Sequence, residues 1–316
     1  MQSVEQLVGY DRYRVSEWAA EIAVDPELAR RLIRDQFADL AAADLQLLGA
    51  GWDNIVYLVD GDWAFRFPRR SIAVPPIERE IQVLSELTAL PLPIPTPRFV
   101  GTRSARYPWP FFGARYIAGA ELSDAAVDRD KREALGAPLG HFLRALHDPA
   151  RLPVLTDRLP VDPNRRADMR DRVERTRERL METARLGLWT IPPTVAAILD
   201  AARNLPPAAA SVVAHGDLHV RHLLITADGC PSGVIDWGDV CRADPSIDLS
   251  LYWSLFSAAG REALRDAYGA ISEEQLLRAR VLSLFLNAIL ALYAHAEGLG
   301  ALKREAVAGL ERTMIA

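Results

Sequence analysis

His215-Gly216-Asp217-Leu218-His219-Val220-Arg221-His222, followed by Ile235-Asp236-Trp237-Gly238-Asp239, decides how the rest of the chain is read. The apolar triplets Val212-Val213-Ala214 and Leu223-Leu224-Ile225 bracket the polar loop. Ala227-Asp228-Gly229 then turns the chain and Gly233-Val234-Ile235 returns as a second short strand. The pattern predicts a hairpin with Asp217 at its entry and Asp236 at its exit. Two carboxylates and an imidazole would then face one small volume. Phosphoryl transfer needs that combination: a carboxylate to orient the attacking hydroxyl, and ligands for the magnesium that neutralises the phosphates. An aspartate after glycine is ordinarily a turn residue satisfying backbone amides. The partner motif is what sets Asp217 apart.

The order of a catalytic aspartate, a metal ligand five residues on and a second metal-binding aspartate after a hairpin is that of protein kinases. His-Gly-Asp-Leu-His-x-x-His with Ile-Asp-Trp-Gly-Asp resembles the aminoglycoside phosphotransferase family, whose members are small-molecule kinases of protein-kinase-like fold. Most of that family carries asparagine at the position of His222. The aminoglycoside 2''-phosphotransferases and macrolide 2'-phosphotransferases carry histidine, and the motif is most similar to theirs. The resemblance extends over about residues 44 to 300. It implies an α+β, two-lobed fold: a small sheet lobe with one packed helix (residues 1–117) and a larger, mainly helical lobe (118–316) that holds the catalytic and acceptor-binding groups.

Composition sets the outer bounds. The chain has 316 residues, half of them hydrophobic, enough for one large or two medium cores. A net charge of −5 argues against a nucleic-acid partner, which needs a basic patch. Cys230 and Cys241 flank the second motif strand and read as two reduced thiols, with a disulfide between them as the alternative that their spacing leaves open. The first five residues show neither a basic region nor an apolar core, so no secretory signal is expected. The longest apolar run, Val281 to Ala294, is shorter than the ~20 residues of a membrane span and reads as a buried helix. The expectation is a cytoplasmic protein, monomeric or a weak dimer, with no membrane partner. Lys131 and Lys303 are the only lysines among 37 basic residues.

Residues 1 to 40 read as a helical preface, with Pro26 at a helix start. Strand-like runs come next at Leu45–Leu48, Ile55–Val59 and Trp63–Phe67, joined by Gly49-Ala50-Gly51 and Asp60-Gly61-Asp62. Pro76 to Leu90 keeps helical spacing, Pro91 to Pro97 is an extended connector, and Arg98–Gly101 and Phe111–Ile117 complete five strands. Beyond Gly119, helices are expected at 131–147, 162–186, 193–202, 247–258, 272–297 and 302–313.

The resemblance assigns roles. Asp217 would be the catalytic base, and Asp236 with His222 would hold Mg2+, although imidazole is a poor ligand for so hard a cation. His215 and Asp248 would support the catalytic loop. His219 reads as structural or solvent-exposed, with contact to substrate or metal as the alternative. Gly49 and Gly51 would cover the phosphates of ATP or GTP, and the backbone of Arg115, Tyr116 and Ile117 would hold the base. Arg66 stands where the family's third strand carries a phosphate-binding lysine, and the lobe offers no lysine; Arg69 and Arg70 are alternatives. Glu80 shares a helix face with Leu84 and Leu87, and so is preferred over Glu78 as the carboxylate that directs Arg66. Asp168, Asp171, Glu174, Glu178 and Glu182 form an acidic stripe. It reads either as an acceptor-site wall or as a solvated helix with pairs Asp168–Arg172 and Asp171–Arg175. The expected activity is transfer of a γ-phosphate to a hydroxyl of an antibiotic-like small molecule, an aminoglycoside or a macrolide. A kinase of an amino alcohol, sugar or other metabolite and a non-catalytic nucleotide-binding pseudokinase are the alternatives.

Overall fold

The structure is a computed structural model that describes residues 20–51, 53–125 and 127–315. About half of the expected preface, residues 1–19, lies outside the described residues. The first helix within them is α1 (Pro26–Gln36), started by Asp25, whose side chain accepts from the Leu28 amide (2.7 Å), with proline in the first turn. Five strands then form one antiparallel sheet in the order β1-β2-β3-β5-β4. They are β1 (Leu45–Ala50), β2 (Asn54–Val59), β3 (Trp63–Pro68), β4 (Pro97–Gly101) and β5 (Phe111–Arg115). Helix α2 (Val74–Val83) comes after β3.

Strand alternation explains how this sheet makes both a core and a cleft. On β3, Phe65 and Phe67 point into an apolar cluster with Ile55, Tyr57 and Phe111, covered by Ala29, Leu32 and Ile33 of α1. Arg66 therefore points to the opposite face. The preface helix thus packs on the sheet too, and α2 is not the lobe's lone helix.

The second lobe is helical and built around α10 (Glu273–Ala296), which packs against α6 (Met169–Arg185), α7 (Thr194–Arg203), α8 (Ser250–Leu255) and α11 (Gly300–Met314). A Ser272 and Gln275 capping box opens α10. At 24 residues α10 is long and apolar enough to cross a membrane, but 83% of its most apolar stretch is buried inside the protein. Length alone does not mark it as a core helix; burial does.

Several elements differ from the sequence reading. The helix expected over 131–147 divides into α3 (Arg129–Ala134) and α4 (Gly136–Leu146). The helix expected over 247–258 is a turn, Pro245–Ile247, followed by α8, and α9 (Ala258–Tyr268) comes after it. Gly136 and Gly140 permit α4 to lie directly on α9: an added Cβ would stand 2.4 Å from the Gly260 carbonyl and 2.5 Å from that of Leu264. A four-residue helix, α5 (Leu152–Leu155), precedes α6, and residues 162–168 form a loop, not the first turns of α6. Val212–Ala214 (β7) does not pair with the motif hairpin. It pairs with β10 (Cys241–Ala243), while β8 (Leu223–Ile225) and β9 (Pro231–Val234) form the hairpin and β6 (Ala120–Glu121) joins the edge of β8. Both cysteines are free, Cys230 exposed and Cys241 buried.

Candidate active site

A cleft of about 490 Å³ separates the lobes. Gly49, Gly51 and Arg66 line its sheet side, Arg115, Tyr116 and Ile117 its back, and Asp236 its floor. Seven residues proposed from sequence therefore share one cavity.

At its inner end Arg66 bridges two carboxylates. Nη1 donates to Oε2 of Glu80 (3.1 Å) and Nη2 donates to Oδ1 of Asp236 (3.1 Å). Glu80 is fully buried. Glu78, two positions along the helix, instead meets Arg103 at the surface (2.5 Å). Burial raises the Glu80 carboxyl to about 7 against the pull of Arg66. Burial would raise Asp236 as well, but there Arg66, aided by His222, prevails and holds it well below the usual carboxylate range. Asp236 also has a left-handed backbone (φ 64°), which aspartate tolerates better than most residues.

The loop from His215 to His222 is fastened from several sides. Asp248, buried, accepts from the amides of His215 (2.7 Å) and Gly216 (3.0 Å), and lies 3.1 Å from Nε2 of His147. His215 donates from Nε2 to the Ile235 carbonyl (3.0 Å), so its Nδ1 is free to accept the Asp217 amide (3.2 Å). Burial lowers the His215 pKa, which suits that neutral form. His222 donates from Nδ1 to the Asp217 carbonyl (2.7 Å). Its Nε2 then carries a lone pair. That atom is buried, makes no hydrogen bond among the described residues, and stands 3.5 Å from Oδ2 of Asp236. Burial lowers the His222 pKa to about 4, opposed by Asp236, so the ring is neutral at neutral pH.

One carboxylate oxygen of Asp236 thus faces Arg66 and the other faces an imidazole lone pair. A backbone-anchored Nδ1–H that leaves Nε2 to bind is the usual arrangement of a metal-ligating histidine. These two groups fit a divalent cation as one oxygen and one nitrogen ligand.

His219 is buried, and its ring centroid lies 3.9 Å from that of His222. Nδ1 accepts from the Arg221 amide (3.3 Å), which places the proton of the neutral ring on Nε2, 3.7 Å from Oδ2 of Asp217. In this tautomer His219 presents a donor, not a lone pair. It is not exposed to solvent.

The glycine-rich turn is closed by the Gly51 amide on the Asn54 carbonyl (2.8 Å). Arg69 donates to the Gly51 carbonyl (2.8 Å) and Arg70 to Asp53 (2.8 Å), so both alternatives to Arg66 are used in holding that turn; Trp52 lies outside the described residues. At the back of the cleft, the Tyr116 amide donates to the Asp62 carbonyl (2.8 Å), which withdraws it from base recognition. The Arg115 side chain is exposed and pairs with Asp62.

The acidic stripe is largely neutralised. Asp168 caps α6 and pairs with Arg165, Asp171 meets Arg175 (2.9 Å), Glu174 meets Arg177 (2.8 Å) and Glu182 meets Arg179 (3.1 Å). Arg172, expected to pair with Asp168, is instead buried over the Phe285 ring (4.3 Å).

Sequence reasoning passes over three groups at this site. Arg221 forms a two-pronged ion pair with Glu121 (2.8 and 3.1 Å) at the cleft mouth. His147 backs Asp248 and is itself met by the Tyr268 hydroxyl (2.9 Å). Arg166, buried, stands 3.5 Å from Oδ1 of Asp217 and 3.3 Å from Oδ2 of Asp239. An arginine in an arginine-rich chain carries no local signal of such a position.

Residues 44–282 match the model of the phosphotransferase enzyme family, APH. An uncharacterized protein of Bacillus subtilis (strain 168), YcbJ, is 38% identical over 58 residues, 18% of this chain. The chain spans only about a fifth (19%) of that relative's length. Among solved structures, the GDP complex of wild-type aminoglycoside 2'-phosphotransferase-IIIa superimposes with a TM-score of 0.64 at 21% identity, covering 92% of this chain and 98% of that one. The GDP and kanamycin complex of APH(2'')-IIia gives 0.63 at 23% identity, over 90% and 97%. Apo macrolide 2'-phosphotransferase MphH from Brachybacterium faecium gives 0.56 at 22% identity, over 88% and 97%. At such identities these structures establish the shared two-lobed fold, and the family match over most of the chain establishes its membership: this protein belongs to the phosphotransferase enzyme family.

Proposed function

We propose that the protein is a nucleotide-dependent O-phosphotransferase that moves the γ-phosphate of ATP or GTP to a hydroxyl of an antibiotic-like small molecule, an aminoglycoside or a macrolide. The observation that carries this reading is the convergence of Asp217, His222 and Asp236 beside a nucleotide-sized cleft, with His222 bonded to the Asp217 backbone and 3.5 Å from Asp236. Asp217 aligns the acceptor hydroxyl and takes its proton late in a loose transition state. Arg66 carries the fixed positive charge that the family's lysine supplies elsewhere, directed by Glu80. Gly49 and Gly51 would cover the phosphates, and the strand end at Arg115 to Ile117, apart from the Tyr116 amide already bonded to Asp62, would meet the base. His222 and Asp236 would hold Mg2+, which would draw charge from the phosphates and clamp them. His215 and Asp248 keep the catalytic loop in place. On this reading the nucleotide-side lobe ends at Ile117.

The acceptor class rests on the histidine-bearing motif and on relatives whose names specify aminoglycoside and macrolide phosphotransfer. One observation favours the second reading, a metabolite kinase. The carboxylates of α6 are paired with arginines, so that helix offers little net charge to an acceptor with several ammonium groups. A nucleotide-consumption screen of the purified protein against aminoglycosides, macrolides and common metabolites, with ATP and GTP in parallel, separates the two. Turnover with an antibiotic and none with metabolites supports the first. Turnover with metabolites alone replaces it, and no turnover with any acceptor, despite nucleotide binding, supports a pseudokinase.

A further inference from the structure

The loop between α5 and α6 carries an arginine that the reaction described above does not use. Asp162 begins the loop with a left-handed backbone (φ 26°), and its carboxylate accepts from the amides of Arg166 and Ala167 (2.9 Å each). Arg165 is left-handed as well (φ 49°). Two non-glycine residues in that region within four positions cost energy and persist only where the surroundings impose them. The loop is rooted on β10: the Asp162 amide donates to the Arg242 carbonyl (3.0 Å) and the Arg242 amide to that of Pro160 (2.8 Å). Strand β10 in turn pairs with β7, which runs directly into His215-Gly216-Asp217. Loop and catalytic segment therefore share one foundation.

From that foundation the loop places the Arg166 guanidinium between two carboxylates. Nη2 stands 3.5 Å from Oδ1 of Asp217 and 3.3 Å from Oδ2 of Asp239. Asn164 of the same loop steadies Asp239 from the other side, Nδ2 to Oδ1 (3.3 Å). Asp239 is pressed against the loop's neighbour: its carbonyl would be 2.2 Å from a Cβ on Gly216. We infer that Arg166 is a positioning residue for Asp217: its ion pair to Oδ1 fixes the orientation of the carboxylate toward the acceptor hydroxyl, so the segment leading into α6 sets the aim of the base. The inference rests on the reading of Asp217 as the aligning base. In a loose phosphoryl transfer that base contributes mainly alignment, so a cation beside it helps by orienting it more than it costs in basicity. Without the guanidinium, Asp217 and Asp239 would be two like charges sharing a buried space, and one would turn away.

The test uses Arg166→Met, which keeps the apolar stem and removes the charge, Arg166→Ala and Arg166→Lys. In Arg166→Met, kcat is expected to fall about a hundredfold. The nucleotide KM should stay within about threefold of the wild-type value, the split expected when only the transition state is affected. Guanidinium ion added to Arg166→Ala should restore part of kcat, which a loss of fold would not allow. Both contacts come from one nitrogen, Nη2, so Arg166→Lys, which keeps a charged nitrogen with several donors, should retain more of kcat than Arg166→Met. Crystal structures of wild type and Arg166→Met should show the Asp217 carboxylate displaced in the variant. Wild-type kcat in Arg166→Met, or an undisplaced Asp217, overturns the inference. Should Arg166→Met fail to fold, wild-type kcat in Arg166→Ala without added guanidinium overturns it equally. If the wild-type enzyme phosphorylates no acceptor, the functional reading fails, while the position of Asp217 in the two crystal structures still decides the role of Arg166.

Discussion

Replacing Arg66 by alanine tests the centre of the cleft most directly. The guanidinium makes two charged contacts of 3.1 Å, one to a fully buried carboxylate and one to a largely buried one. Its loss leaves Glu80 and Asp236 without the cation that offsets their burial. Truncating one partner of a buried ion pair costs about 3–5 kcal/mol, because the uncompensated charge remains. In urea unfolding without nucleotide, Arg66→Ala should therefore lose about 3–5 kcal/mol, seen as a lower midpoint at constant slope. Arg66→Met combined with Glu80→Gln should recover part of that, since one stranded charge has gone. Nucleotide binding is a second, separate readout. A lost charge-assisted phosphate contact is worth about 1.5–3 kcal/mol, so the nucleotide KM should rise or turnover fall by roughly ten- to a hundredfold. Arg66→Lys should fall between, and Glu80→Ala should lose less than Arg66→Ala. A stability change below about 0.5 kcal/mol for Arg66→Ala would refute the bridging role. A nucleotide-bound structure with Arg66 in solvent and another arginine on the phosphates would refute the functional one.

Asp217→Asn should lower turnover by several orders of magnitude with nucleotide affinity near normal, as measured by initial rates and calorimetry on a confirmed acceptor; near-wild-type turnover would remove Asp217 from its role. His222→Asn should keep substantial activity, whereas His222→Ala should lose far more and be partly rescued by excess magnesium; equal activities of His222→Ala and wild type would make the ring structural. His222 also predicts a pH dependence. Its folded pKa, about 4, lies below the ordinary 6.5, so the stability it contributes is present above 6.5 and lost as pH falls toward 4. That loss comes to about 2 kcal/mol by pH 5 in the metal-free protein and should be absent in His222→Asn when unfolding at pH 7 and pH 5 is compared. Gly216→Ala combines a left-handed backbone (φ 88°) with a 2.2 Å clash against the Asp239 carbonyl, so it should lower both the melting temperature and turnover; an unchanged kcat would show that the loop tolerates displacement.

The parts of the fold that can be read from sequence are those with a local cause. Phe65 and Phe67 alternate with Arg66, so strand geometry alone sends the arginine to the cleft. Glu80 is separable from Glu78 by helical phase. The unread parts depend on distant partners. Val212–Ala214 reads in sequence only as the apolar flank of the polar loop, and its pairing with Cys241–Ala243 is chosen by the tertiary fold. The charged run 162–168 has the composition of a helix start, but the Asp162 carboxylate caps the Arg166 and Ala167 amides and bends it into a loop. Arg166 escapes sequence reading for the same reason, because the carboxylates it meets, Asp217 and Asp239, lie far along the chain. The long helix expected over 272–297 is observed at Glu273–Ala296, because its apolar run and its Ser272 cap are both local signals.

The two thiols give the native chain a built-in reporter. Cys230 is exposed on the turn of the β8–β9 hairpin, whereas Cys241 is wholly buried on β10, and its burial raises the thiol pKa far above the usual value. A thiol-specific dye should therefore label Cys230 at once, attaching a single probe beside the catalytic hairpin without any engineered cysteine. Labelling of Cys241 must wait until β10 separates from β7, the strand that leads into Asp217. Its slow phase would time the opening of the ground on which the catalytic segment stands, and a bound nucleotide that braces that segment would lengthen the delay.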